Sequence, residues 1–516
     1  MATAKTPTIT ARRRFIVKLL TRAGRHKMKG DETAMMTEVA DGFMRLGGVY
    51  VKFLQGVLLQ LPAMRQWKND KRFDVYEDVE PEPLDVKRLL LGTFPKDIVS
   101  KIHSINPTPF AAGSFGQVYL AKLIGGEQVV IKVLRPEARG ALQKDLKLLK
   151  FVARLLGSSM SSFNLNLKAL TSEFVASTMN EVDYKAEVKF ALEFYEIHKN
   201  SPTIVVPKTY TELCSPNIIT QEYIGGVSIA QILRNPNIEK TAEAYAAIVR
   251  ETTGSDLHKQ LSDLGTELYV STLLGRPLHG DPHPGNIRLL PDNKVGLLDY
   301  GIRARPSVSS RAYYLMVKEW WRVEYAEEPD PGAVFVSYIR FYSERLYESM
   351  RVISEYASKR LGKPIKLDDY IAQLGNNYFR QKVSDQELKK SISDMREGKG
   401  AGSNSVVRVI NADNRFGIVA KIKDGPLLRS LVTYNSLITV LGYRSIVPEV
   451  YERVIAYART NMPELEYEPE TTLALSEAIE TLYEWLERIG NNDYELYRQI
   501  TTHINGLTGT VKLDSK

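Results

Sequence analysis

Two short polar stretches constrain this chain most: His279-Gly280-Asp281-Pro282-His283-Pro284-Gly285-Asn286 and, thirteen residues later, Asp299-Tyr300-Gly301. Between them Ile287–Leu290 and Val295–Leu298 are apolar runs joined by Pro291-Asp292-Asn293, a turn composition. The spacing therefore predicts a β-hairpin with polar residues at both ends. An Asp and an Asn five apart on one loop, with a second Asp ending the next strand, suit phosphoryl transfer. Asp281 can orient a nucleophile, while Asn286 and Asp299 offer hard oxygens to a Mg²⁺ that bridges phosphates.

A second constellation lies upstream. Val118–Leu123 and Gln128–Leu134 read as strands, with Gly125-Gly126 at the hairpin turn. Before the first strand, Ala111-Ala112-Gly113-Ser114-Phe115-Gly116-Gln117-Val118 follows G-x-G-x-x-G-x-V with Ala in place of the first Gly. Small residues there let backbone amides approach phosphates, and Phe115 can cover them. Lys132 then falls at the strand position from which a lysine reaches α/β-phosphates. The order of loop, lysine, Asp281, Asn286 and Asp299 is that of the protein-kinase motifs, with His279 two before the Asp.

Composition adds exclusions. A chain of 516 residues has room for roughly two to four structural units. The single cysteine, Cys214, excludes an intramolecular disulfide framework and, with 7 His, leaves no zinc-type cluster. The net charge of +8 is local: residues 1–30 hold Lys5, Arg12, Arg13, Arg14, Lys18, Arg22, Arg25, Lys27 and Lys29 and no Asp or Glu. The remainder is close to neutral, so no nucleic-acid-binding face is expected on the folded body. Phe15, Ile16, Leu19 and Leu20 set an apolar stripe among these cations. That pattern suits a helix on an anionic membrane surface, a targeting presequence or a solvated tail. No apolar run reaches the roughly eighteen residues of a transmembrane helix.

In chain order, 31–68 reads as helix carrying Lys52-Phe53-Leu54-Gln55, weakened at Gly47-Gly48. Residues 69–108 are charged and Pro-punctuated. Residues 138–200 are helical and carry Glu181, Asp183 and Glu187, whose spacing keeps all three off one face. Ile218–Tyr223 is a strand running into Gly225-Gly226, a hinge composition, and 227–278 is helical. Helical patterns fill 306–396 and 406–516, separated by Glu397-Gly398-Lys399-Gly400-Ala401-Gly402-Ser403-Asn404-Ser405, a linker composition. The last includes Leu473, Leu475, Ile479, Leu482, Leu486 and Ile489. The aromatic cluster Trp320, Trp321, Tyr338, Phe341 and Tyr342 reads as core, with a lipid-facing groove as the alternative.

Taken together these pieces resemble the UbiB/aarF-domain (ADCK-type) atypical protein-kinase-like family over roughly residues 45–305. Lys52-Phe53-Leu54-Gln55 matches its K-x-G-Q motif with Leu54 for Gly. Ala111-Ala112-Gly113-Ser114 matches its A-A-A-S loop with Gly113 for the third Ala, and Glu181-Val182-Asp183 matches E-x-D. The resemblance implies an α+β, two-lobed protein-kinase-like fold with an N-terminal helical extension and a large C-terminal helical region. The divisions expected are 1–30 (basic arm), 31–108 (helical extension), 109–226 (N-lobe), 227–345 (C-lobe) and 346–516 (C-terminal helices).

It further implies ATP or ADP with Mg²⁺ on Asn286 and Asp299, and Lys132 paired with Glu187. The nucleotide would be bound by Ala111, Ala112, Gly113, Ser114, Phe115, Gly116, Val118 and Glu222, with Asp281 as the catalytic carboxylate. Lys52 and Gln55 would lie over the site near Glu181 and Asp183 in a regulatory role, where an ordinary kinase docks a protein substrate. An ATPase or small-molecule kinase supporting isoprenoid-quinone biosynthesis or membrane-lipid homeostasis is the implied function. Its implied setting is cytoplasmic or peripheral to a membrane, through a lipid or quinone-precursor contact, or organellar if the basic arm is a presequence. A nucleotide-binding pseudokinase scaffold and an aminoglycoside- or choline-type phosphotransferase, whose H-G-D-x-x-x-x-N loop His279–Asn286 also resembles, are the alternatives.

Overall fold

A computed structural model describes residues 9–56, 83–113, 115–136, 138–159, 167–325, 330–382, 393, 425–468, 470–492, 494, 497, 498 and 500–502. The expected linker 397–405, the helix from 57 to 68, Ser114 and the side chain of Gln55 lie outside them. The fold is α+β, in two compact units. One comprises Met1–Tyr195, Pro207–Tyr223 and Asp299–Ile302; the other comprises Glu196–Val206, Ile224–Leu298 and Arg303–Lys516.

The first unit is built on an antiparallel sheet of β1 (Ile102–Ile105), β2 (Ala111–Ala112), β3 (Gly116–Leu123), β4 (Gln128–Leu134) and β6 (Ile218–Glu222), ordered β1-β3-β4-β6 with β2 also on β3. Alternation decides its faces. Tyr119, Ala121 and Leu123 join Val129, Ile131 and Val133 in a core that Val86 and Leu90 complete. Lys132, between Ile131 and Val133, points the opposite way. The hairpin turns at the predicted glycines, with Gly126 at φ 94°.

The helices of this unit depart from the sequence pattern in three places. Helix α1 (Ile9–Met28) does not offer its apolar stripe to solvent or lipid. Ile16, Leu19 and Ala23 are buried against Met35, Met36, Val39, Ala40 and Phe43 of α2 (Glu32–Leu46), with Phe15 and Leu20 packed at the edge. Amphipathicity signals burial of one face without saying in what. The approach is close: a Cβ on Gly42 would stand 2.5 Å from Leu19 Cδ2. Arg14, Val17, Lys18, Arg22, Arg25 and Lys29 remain exposed. Next, the predicted single helix breaks at Gly47 (φ 68°) and Gly48 (φ 53°) and resumes as α3 (Val49–Gly56). Finally, Glu181-Val182-Asp183 lies on no helix. It is the corner between helices Leu167–Asn180 and Tyr184–His198, where Asp183 Oδ1 caps the second by accepting from the Ala186 amide at 3.2 Å.

In the second unit β5 (Ile204–Val205), β7 (Val227–Ser228), β9 (Ile287–Leu289) and β10 (Val295–Leu297) form a sheet ordered β5-β10-β9-β7. A separate pair joins β8 (Leu278–His279) to β11 (Arg303–Ala304). The β9–β10 hairpin turns at the expected residues, with Asp292 (φ 59°) and Asn293 (φ 57°) in the left-handed region that Asp and Asn tolerate. Helices include Leu257–Leu273, Ser310–Tyr325, Gly425–Val440, Ile446–Asn461 and Leu475–Asn492. In the last of these Ala478, Trp485, Leu486 and Ile489 are buried while Ile479 is exposed, contrary to the predicted stripe. Phe341 is buried and Trp320 and Trp321 are half-buried; the side chains of Tyr338 and Tyr342 lie outside the described residues. Among the described residues no helix is long and apolar enough to cross a membrane.

Gly225 and Gly226, read as a hinge, differ from each other. Gly226 sits at φ 73°, and a Cβ there would lie 2.3 Å from the Leu289 carbonyl oxygen; nothing lies within 4 Å of one on Gly225. Gly226→Ala should therefore destabilise the fold by at least about 1–2 kcal/mol from backbone strain alone, with further loss where Leu289 must move. Gly225→Ala should melt within a degree or so of wild type by differential scanning fluorimetry.

Candidate active site

Lys132 is the centre of a charged cluster in the first unit. Its Nζ lies 2.8 Å from Glu187 Oε1, 3.1 Å from Glu187 Oε2 and 3.2 Å from Asp299 Oδ2. Three separate pieces of chain supply these groups: strand β4, the first turn of helix Tyr184–His198, and the segment Asp299–Ile302. Asp299 adopts φ 62°, and its Oδ1 accepts from the Gly301 amide at 3.1 Å, so the carboxylate is held by its own turn. The Lys132 ammonium also stands 5.3 Å from the Tyr184 ring centre, within cation–π range.

Burial works against both charges and is answered unequally. For Lys132 it is outweighed by Asp299 and Glu187, which carry the ammonium well above its ordinary range. For Glu187, buried to 1% side-chain exposure, desolvation pushes the carboxyl up to about 7 although Lys132 pulls the other way. The lysine is thus firmly protonated, and Glu187 depends on it to stay ionised.

The described residues of the glycine-rich loop are held by short contacts. Ala111 and Ala112 pair with Val118 and Gln117, the Gly113 amide donates to the Gly116 carbonyl at 2.9 Å, and Phe115 packs at the edge of the core. Arg135 steadies it: its amide donates to the Phe115 carbonyl at 2.8 Å and its guanidinium to the Gly113 carbonyl at 3.3 Å. Gly116 was expected for phosphate access, but packing also demands it. A Cβ there would lie 2.8 Å from both the Tyr184 hydroxyl and the Val133 carbonyl oxygen. Gly113 has open space around it.

Of the extra-helix residues, Lys52 lies beside Glu181. Its Nζ pairs with Glu181 Oε2 at 2.8 Å and stands 4.8 Å from the Phe115 ring centre, so α3 is tied to the glycine-rich loop. Asp183 is occupied instead as a helix cap, and the Glu222 carboxylate accepts from the Lys208 amide at 3.2 Å.

The second unit holds Asp281 and Asn286. His279, fully buried, accepts the Asp281 amide on Nδ1 at 3.2 Å, so the proton sits on Nε2, which donates to the Leu298 carbonyl at 2.9 Å. The histidine staples the loop to the strand end that precedes Asp299. Asn286 Nδ2 donates to the Asp281 carbonyl at 3.2 Å, which leaves its Oδ1 as the oxygen available to a cation. Two residues escaped the sequence reading. Tyr184 follows the E-x-D segment but carries no periodic signal, because a helix begins there. Arg429, from the helix Gly425–Val440, places Nη2 3.0 Å from Asp281 Oδ2; no motif surrounds it.

Known proteins resemble part of this chain. The family description "ABC1 atypical kinase-like domain" matches residues 78–323. The chain is 32% identical over 263 residues to the protein ACTIVITY OF BC1 COMPLEX KINASE 1, chloroplastic, of Arabidopsis thaliana, covering 50% of this chain and 36% of that one. It is 27% identical to an Arabidopsis thaliana chloroplastic protein described as an uncharacterized aarF domain-containing protein kinase, covering 50% and 34%. The match thus spans about a third of the length of these relatives. A solved Mycobacterium tuberculosis structure, titled the complex of Rv3197 with erythromycin, aligns at 27% identity and TM-score 0.38 over 58% of this chain and 73% of that one.

The Lys132–Glu187 dependence is testable by pH. Because Glu187 is raised from its ordinary 4.5 to about 7, its protonation favours the folded state. That contribution is full below pH 4.5 and is lost as pH rises through 7. Removing the ammonium strengthens the effect. Lys132→Met should therefore gain at least about 1 kcal/mol of unfolding free energy over wild type between pH 8 and pH 5, in urea titrations. The double variant with Glu187→Gln should lose that slope.

Proposed function

Residues 78–323 belong to the ABC1/aarF, UbiB/ADCK-type, atypical kinase-like family, and from that premise we propose that this protein is a Mg²⁺-dependent ATPase or small-molecule kinase. Lys132, steadied by Glu187, contacts the phosphates. The backbone of Ala111, Ala112, Gly113, Ser114 and Gly116 cradles them, under Phe115, with Val118 and Glu222 completing the nucleotide contacts. Asp281 accepts a hydrogen bond from the attacking hydroxyl or water and so orients its oxygen.

The proposed metal ligands fit Mg²⁺ by donor chemistry. Asp299 offers a half-exposed carboxylate and Asn286 an amide oxygen. Among the described residues no three His, Cys, Asp or Glu side chains gather as a metal cage. A pair of hard oxygens is what Mg²⁺ uses when phosphates and waters complete its octahedron. When bound, the metal supplies neutralisation of charge on the phosphates.

The observation that carries this reading is the single ammonium shared by Glu187 and Asp299, the lysine–glutamate–aspartate grouping that kinase-type phosphoryl transfer uses. The Lys52–Glu181 pair against Phe115 favours a small acceptor or water over a docked protein. It equally suits a second reading, a nucleotide-binding scaffold without turnover. The chloroplastic relatives and the exposed cations of α1 support work in an organelle beside an anionic membrane, in isoprenoid-quinone or lipid metabolism.

ATP with Mg²⁺ should raise the melting temperature of the wild type. Asp299→Asn should reduce phosphate release at least about a hundredfold. Binding without any release of phosphate, in the presence of liposomes, would favour the scaffold; no binding of ATP or ADP with or without Mg²⁺ would remove both readings. Faster release by Lys52→Ala would identify α3 as a brake.

A further inference from the structure

Helix Gly425–Val440 lies beyond the residues that the family description matches, yet its side chains converge on the loop that carries Asp281. Four side-chain contacts fix its register. Arg429 Nη2 donates to Asp281 Oδ2 at 3.0 Å, and the fully buried Ser430 hydroxyl donates to the His279 carbonyl at 2.7 Å. One turn on, the Tyr434 hydroxyl donates to the Leu261 carbonyl at 2.9 Å, and Asn435 Nδ2 donates to the Tyr269 hydroxyl at 3.2 Å. The seat is made to measure: a Cβ on Gly265 would stand 2.2 Å from the Tyr434 hydroxyl oxygen, so only glycine admits that tyrosine. His279 is therefore gripped twice, by Ser430 through its carbonyl and by Leu298 through its ring.

We propose that Arg429 is a positioning residue for the phosphoryl-transfer reaction, delivered by this C-terminal helix to hold the Asp281 carboxylate in its working orientation. Asp281 sits two residues from the fully buried His279, but the χ2 torsion of an aspartate is soft enough to turn its oxygens away. A guanidinium on Oδ2 fixes that torsion and leaves Oδ1 for the attacking oxygen. It also places a positive charge beside a carboxylate that must face anionic phosphates, reducing their mutual repulsion. The Arg429 side chain is about half exposed while that of Asp281 is 18% exposed, so the arginine approaches from the solvent side and the ion pair contributes little to folding. Its role is orientation.

This inference rests on the nucleotide-turnover reading above, and the experiment keeps the two apart. Wild type, Arg429→Ala and Arg429→Lys, each as the whole 516-residue chain, are compared for ATP affinity by calorimetry, for phosphate release, and for release with added guanidinium chloride at millimolar concentration. The expected result is unchanged ATP affinity and melting temperature for Arg429→Ala, with kcat reduced at least about tenfold. Guanidinium should restore part of the loss, and Arg429→Lys should lie between. A merely structural role would change melting temperature and would not respond to guanidinium. Wild-type kcat, or a raised kcat, in Arg429→Ala that still binds ATP would overturn the inference alone. Failure of the wild type to turn over would overturn the reading beneath it.

Discussion

One ammonium between two carboxylates is the constraint from which the first unit is arranged. Strand alternation turns Lys132 away from the core of Ile131 and Val133, and both carboxylates must be brought to it from distant sequence: Glu187 by the corner at 181–183 and Asp299 by a left-handed turn. Glu187 is buried deeply enough that its charge survives through the lysine. An ion pair of this kind adds little net stability, since desolvation offsets most of the attraction. Under the function proposed above, such a pair is placed to exchange one carboxylate partner for phosphate oxygens.

Around that centre the parts are locked by close contacts and few of them are interchangeable. Gly116 has no room for a methyl beneath Tyr184, Arg135 holds two carbonyls of the loop, and Lys52 stands over the Phe115 ring. A glycine-rich loop in isolation would be loose. Here it is held at its base, its rim and its tip.

Much of this was legible because the chemistry sits in short contiguous motifs. Asp281, Asn286 and Asp299 flank a hairpin whose turn residues announce it, and Lys132 follows the loop at fixed distance. What could not be read depended on long-range packing. The stripe of α1 has the same periodicity whether lipid or Phe43 covers it. The E-x-D segment lies amid helix formers and still breaks, because Asp183 caps the helix that follows. Arg429 lies 148 residues from its partner, a distance over which sequence spacing carries no geometric information.

The burial of α1 changes how the amino-terminal end must be regarded. Ile16, Leu19 and Ala23 fill space beside Phe43 and Leu146, and Arg12 ties the helix to Asp145. Proteolytic trimming past this helix would strip the cover from a greasy furrow and leave Asp145 without its guanidinium. Such a shortened product would be prone to self-association, so any expression scheme that begins the chain near residue 30 removes a wall of the building and not its porch.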